Sequence, residues 1–302
     1  MNVGVIGGSG FIGSHVVDKL FDAGHNVTVL DGVKPQRNDV GYKVIDITDL
    51  ENTLVTLDGG YDAIYLLAAM ADVNDCYKNP VKTIEVNVLG VANVLEACVK
   101  NEIERFLFAS TVWTYGLSDV EVVDESTPLN ITNKEHIYTA SKVAAETLIQ
   151  SYSNLYHQDF TILRYGIPYG PRARGGTVLP IFVRLAMEGK PLTIQGDGSA
   201  HRKFIYVEDI AYGNVAALSP DAKNQVINLE GPRNISVKEV ADTVNELFNG
   251  DVEINYVEAR PGDYAGKVVS NDKSKKLLDW EPLVDFKEGA KNFLDWYKEN
   301  SQ

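Results

Sequence analysis

Cysteine is scarce in this chain. Cys76 and Cys98 are the only two in 302 residues, with no CxxC and no neighbouring histidine pattern. Neither a disulfide framework nor a structural zinc site is expected, and a reducing cytoplasm is the expected compartment. Positive charge is scarce as well: 28 Lys and Arg stand against 42 Asp and Glu, a net charge of −14. Nucleic acids and anionic membranes call for clustered cations, so neither is an expected partner. A small anionic ligand stays open, because a few well-placed arginines suffice for it. No apolar run is long enough to span a bilayer, and no basic, then apolar, stretch precedes the strand-like opening Asn2-Val3-Gly4-Val5-Ile6-Gly7.

What is present is alternation. Short apolar runs at Val3–Ile6, Val27–Leu30, Tyr42–Ile45, Ala63–Leu67, Arg105–Ala109 and Thr161–Arg164 are separated by longer helical patterns. That is the signature of an α/β chain with a parallel sheet. Ile12, Val16 and Leu20, with Val17 and Phe21, share one face of a first helix closed by Gly24. Further helices are expected over Val88–Lys100 and from Tyr138 onward. After Tyr165 a cluster of Gly and Pro, from Gly166 to Gly176, suggests loops over a site. Helical patterns return at Ile181–Glu188, Val237–Phe248 and Phe286–Lys298, and Val226–Leu229 is a candidate extra strand. The expected division is residues 1–166, completed by segments near 204–230, and a smaller α/β cap over 167–302 interleaved with it.

Gly7-Gly8-Ser9-Gly10-Phe11-Ile12-Gly13 holds both GxxGxxG, from Gly7, and GxGxxG, from Gly8. Such glycines turn the chain sharply out of a strand and let a pyrophosphate approach the backbone; the last lets the helix pack closely on the sheet. The following helix N-terminus offers free N–H groups and about half a positive charge. Asp31 closes the next strand roughly 20 residues on, where a carboxylate accepts both ribose hydroxyls and repels a 2′-phosphate. A doubly wound Rossmann domain binding NAD is therefore expected. Lys34 and Arg37, close behind Asp31, keep NADP as an alternative. Asp46 and Ile47 are expected near the adenine, although Asp46 reads equally well as a helix cap.

Tyr138 and Lys142 stand at i and i+4 on one helix face. A free phenol has a pKa of about 10 and is no base near neutrality. A nearby ammonium and a positive nicotinamide both stabilise the phenolate; reaching about 7 takes roughly 4 kcal/mol of such help. Ser110-Thr111 closes an intervening strand.

These motifs, in this order, resemble the extended short-chain dehydrogenase/reductases of the nucleotide-sugar epimerase/dehydratase family. The resemblance runs through GGSGFIG, LLAAMADV at Leu66–Val73, NVLG with Asn87, and FASTVWTYG at Phe108–Gly116. It continues through YTASK, LRYGIPYGP at Leu163–Pro171, GDGSAHRKFIYVEDIA at Gly196–Ala211, RPGD at Arg260–Asp263 and KKLLDWEP at Lys275–Pro282. It implies Tyr138 as acid or base at the sugar hydroxyl, Lys142 as its modulator and ribose anchor, and Thr111 as a partner of the reacting oxygen. It implies Gly7, Gly10, Phe11, Ile12, Gly13, Asp31, Leu67, Ala68, Ala69, Asn87 and Tyr165 along the NAD. Thr177, Val178, Arg202 and Arg260 would meet a nucleotide-diphosphate sugar, UDP-linked by preference, the arginines suiting phosphate oxygens. A homodimer through helices near Val88–Lys100 and Ser141–Ser153 is also implied.

Two departures narrow this. The family's 4,6-dehydratases carry Asp-Glu directly after the Thr, and its decarboxylases keep a Glu there; here Val112 and Trp113 cannot transfer protons. What remains is a 4-epimerase of the UDP-glucose/UDP-galactose type, with a ketosugar reductase or other secondary-alcohol dehydrogenase as the alternative and a non-catalytic NAD-binding scaffold behind both. Ile167 stands where the family usually has an Asn that positions the diphosphate, so the substrate is the least determined part.

Overall fold

In the computed structural model, residues 1–116, 118–131, 136–258 and 267–300 are described. Seven strands form the central sheet: β1 (Asn2–Ile6), β2 (Asn26–Leu30), β3 (Gly41–Lys43), β4 (Ala63–Leu66), β5 (Arg105–Thr111), β6 (Asp159–Tyr165) and β7 (Gln225–Leu229). Their spatial order is 3-2-1-4-5-6-7 and every pairing is parallel. This is the doubly wound arrangement, and its topological switch point lies between β1 and β4.

Such a sheet is buried on both faces, which explains runs such as Arg105–Thr111 that are buried throughout. Alternate residues feed two cores. Val3, Val5, Val29, Tyr65 and Leu107 face one side, against Val16, Val17 and Leu20 of helix α1 (Phe11–Asp22). Ile6, Leu66, Phe106, Phe108 and Ile162 face the other, against Val94 and Leu95 of α2 (Gly90–Lys100) and Ala145 and Ile149 of α3 (Ile137–Tyr156). Helix α4 (Val207–Ala216) lies beside α1 on the first face, through Ile210 and Ala211.

Much of the remaining chain builds a third core. Strands Ile167–Tyr169, His201–Tyr206 and Asn234–Ser236 form a small mixed sheet, and Leu192–Gln195 pairs with Ile254–Val257. Helices Val178–Met187, Val237–Leu247 and Phe286–Asn300 pack over them. The expected helices and the strand at Val226–Leu229 are present. Not foreseen were the short helices Val73–Lys78 and Pro80–Ile84 and the π-helical turn Glu85–Leu89, where polar residues hide the periodicity. Among the described residues, no helix is long and apolar enough to cross a membrane.

Candidate functional site

The glycine turn leaves β1 at the switch point. Gly7 adopts φ +84°, and a Cβ there would come within 2.5 Å of the Ala68 nitrogen just beyond β4. A Cβ on Gly13 would overlap the Gly7 carbonyl oxygen, so only glycine lets α1 start this close to the sheet. Gly10 is the N-cap of α1 and no side chain caps the helix, whose first turn also carries no acid. Leu67 and Ala68 form the opposite wall, both N–H groups donating to the Ile6 carbonyl. Asp31 accepts from the Ser9 and Val33 N–H groups, each at 3.0 Å, which fixes its carboxylate beside the glycine turn. A bare backbone cradle and an aimed carboxylate fit a dinucleotide. Arg37 is held by Asp18 and Asp39 and lies over the Phe21 ring, so it does not offer itself to a 2′-phosphate beside Asp31.

The chemical residues converge beyond β5. Tyr138 and Lys142 rise from the first turns of α3, and Thr111 ends β5. Burial pushes the Tyr138 phenol above its usual range, and the neighbouring Thr111 hydroxyl pulls it back only in part. Lys142 is buried and donates to the Ala109 carbonyl at 2.8 Å, with its ammonium 4.6 Å from the Phe108 ring centre and 6.0 Å from that of Tyr138. Burial pushes Lys142 down to about 8, against the pull of Glu146. The protein alone therefore does not bring Tyr138 toward neutrality.

Asn87, expected along the cofactor channel, has its side chain occupied elsewhere. It accepts from Met70 N–H and donates to the Met70 carbonyl and to Ser141 Oγ, which in turn donates to the Tyr138 carbonyl. The π-helical turn that carries it thus ties the loop after β4 to the helix of Tyr138. The structure places the other expected positions as follows. The Tyr165 phenol points to Asn214 of α4, on the sheet face opposite α3. Ile47 is core, packed against Gly90, while exposed Asp46 accepts from Thr48 as a turn residue. Thr177 is an exposed helix N-cap and Val178 follows it; neither lines the pocket below.

That pocket is lined by Val112, Trp113, Ile167, Arg202, Lys203 and Glu230 among others. Trp113 meets Tyr138 edge to face at 6.4 Å between ring centres, joining the pocket to the Tyr–Lys pair. Arg202 donates to the His201 carbonyl. Arg260 lies outside the described residues. Sequence reasoning missed Glu230, and also a buried chain in which Ser110 donates to Glu146, Arg164 pairs with Glu146 at 2.6 Å and bonds Tyr115, and Tyr115 donates to Asn228. Glu146 had a signal, since it continues the i, i+4 row of Tyr138 and Lys142.

Comparison with known proteins places this geometry. Residues 3–229 match the model of the NAD dependent epimerase/dehydratase family. A UDP-glucuronate 4-epimerase of Thermodesulfobacterium geofontis is 34% identical, over 98% of this chain and 96% of its own. The crystal structure of UDP-glucose 4-epimerase from Thermotoga maritima with UDP-glucose superposes with a TM-score of 0.92 at 28% identity, covering 100% of both chains. That of Thermus thermophilus UDP-glucose 4-epimerase with NAD gives 0.88 at 31% identity, over 99% of this chain and 100% of that one.

Proposed function

The chain belongs to the NAD dependent epimerase/dehydratase family, with NAD as its cofactor, and from that premise we propose that it is a nucleotide-sugar 4-epimerase of the UDP-glucose/UDP-galactose type. One observation carries the reading: Tyr138 and Thr111 meet beside Lys142, while the next two residues, Val112 and Trp113, bear no ionisable group. Epimerisation at one carbon moves a single proton off and onto one hydroxyl. Water loss across two carbons needs a further acid and base, which these positions do not supply.

In this reading residues 1–166, completed by β7, hold NAD, and residues 167–302 mainly hold the sugar nucleotide. Gly7, Gly10, Phe11, Ile12 and Gly13 cradle the pyrophosphate and Asp31 takes the ribose hydroxyls. NAD, when bound, would supply a hydride acceptor able to give the hydride back to either face of the sugar carbon, and its positive charge would favour the phenolate. Tyr138 takes the proton of the 4-hydroxyl at its phenolic oxygen and later gives it back. Thr111 holds the reacting oxygen in line, and Lys142, fixed by Ala109, keeps a cation behind the ring. Arg202 and Arg260 grip the diphosphate, leaving the sugar free to turn over.

The test is direct. Purified protein is given UDP-glucose without added cofactor, and products are followed by NMR alongside absorbance in the NADH band. UDP-galactose should appear with no net NADH; turnover only on adding NADH or NADPH would mark a reductase instead. Tyr138→Phe should cut the rate on the order of a thousandfold while NAD stays bound. Full activity in that variant refutes the mechanism.

A further inference from the structure

Three neighbouring strand ends form one row in the pocket. Thr111 of β5 pairs with Tyr165 of β6, and Tyr165 pairs with Leu229 of β7. The next residues, Val112, Gly166 and Glu230, therefore stand one step beyond the level at which Thr111 meets Tyr138. Parallel strands lie about 4.8 Å apart, so the row spans roughly 10 Å at the backbone, within joint reach of a glutamate side chain and a hexose. Ligands of such sheets bind just outside the carboxyl ends of the strands. Glu230 is the only ionisable member of the row.

Its placement is built. The Glu230 N–H donates to Asn271 Oδ1 at 3.0 Å, and its carbonyl accepts from Asn271 Nδ2 at 2.7 Å, which clamps the backbone from both sides. Glu230 Oε1 accepts from the Gly231 N–H at 2.9 Å. The carboxylate lies over Gly166, where a Cβ would overlap it. It is thus drawn across the end of β6 toward β5, where Val112 and Trp113 line the same pocket. Only 3% of Glu230 is exposed.

The cations of this pocket sit on other segments. Arg202 and Lys203 belong to strand His201–Tyr206, and Lys267 comes from beside Val268–Val269. They suit a diphosphate, whereas Glu230 is the pocket's one carboxylate among its described lining residues.

We infer that Glu230 selects the sugar by charge, accepting a neutral hexose whose hydroxyls can donate to it and rejecting a hexuronate. The inference rests on the nucleotide-sugar reading above. Two carboxylates shut away from water either repel or must share a proton. Burial already pushes the Glu230 carboxyl above its usual range, against the opposing pull of Gly231 N–H and Lys203. A uronate would have to bring a further proton into the site.

The experiment uses the NAD-loaded Tyr138→Phe protein, in which turnover is slowed on the order of a thousandfold, with and without Glu230→Gln. Dissociation constants are measured by calorimetry for UDP, UDP-glucose and UDP-glucuronate. UDP-glucose should bind at least about tenfold tighter than UDP-glucuronate, and Glu230→Gln should narrow that ratio at least about fivefold while leaving UDP within about twofold. A uronate bound as tightly as glucose, or a ratio that Glu230→Gln leaves alone, overturns the inference and leaves the nucleotide-sugar reading standing. Failure of UDP and both sugars to bind the unsubstituted Glu230 protein sinks that reading, and the inference with it. If the Gln variant does not fold, the ratio in the Glu230 protein decides alone.

Discussion

Lys142 has almost no contact with solvent, and its ammonium donates to the Ala109 carbonyl among aromatic rings. Burial disfavours the charged form and pushes the group down to about 8. Below that pH the residue is a cation and stabilises a phenolate; above it the proton leaves and the stabilisation goes with it. The rate should therefore fall on the alkaline side near pH 8, well below where an exposed lysine would act. In Lys142→Arg, whose guanidinium keeps its proton, the remaining rate should lack this fall. A flat profile to pH 10 in the unsubstituted enzyme would contradict the assignment. Residues of this kind were legible because their evidence is local. The glycines answer to backbone geometry within one turn, and Tyr138 with Lys142 to one helix face. Asn87 was legible as a position but not as a set of partners, because Met70 and Ser141 lie 17 and 54 residues away.

At the scale of elements, the row of strand ends does what no single motif could. Thr111, Tyr165 and Leu229 come from distant segments, and only the register of β5, β6 and β7 makes their successors neighbours. Glu230 was therefore invisible in the sequence, where it follows an apolar strand like any loop residue. The same holds for the ion pair that joins α3 to β6. Arg164 and Glu146 are both buried, and Ser110 also donates to Glu146. Removing one charge from such a pair strands the other, a loss of about 3 to 5 kcal/mol. Glu146→Ala should lower the unfolding free energy in urea by about that amount. Glu146→Met with Arg164→Met should recover most of it, since neither charge is then left alone. A single variant within 1 kcal/mol of the parent would show that the pair adds little beyond its surroundings. The strands themselves were legible because both faces of the sheet demand apolar residues; the short helices over 73–84 were not, because few of their residues reach the core.

The whole molecule raises the question of its own surface. The apolar face of α2 was one expected dimer contact, but Val91, Val94, Leu95 and Cys98 are consumed by the protomer's own core. What stays outside is the segment before it: Tyr77 is 84% exposed, Val81 81% and Leu89 49%, in elements that pack along α3. At the far end of α3, Leu155 and Tyr156 are exposed as well. Single exposed apolar residues are ordinary, whereas several along adjoining elements are what a partner covers. We propose a homodimer in which this face meets its own copy, since a two-fold contact sets one patch against itself. Sedimentation velocity should give a dimer for the parent chain. Val81→Glu with Leu89→Glu should shift it to monomer, because like charges would then face each other across the axis. Neither residue lies in the glycine turn or in the pocket, so the monomer should still hold NAD. A monomeric parent chain, or a double variant that stays dimeric, would remove this face from consideration.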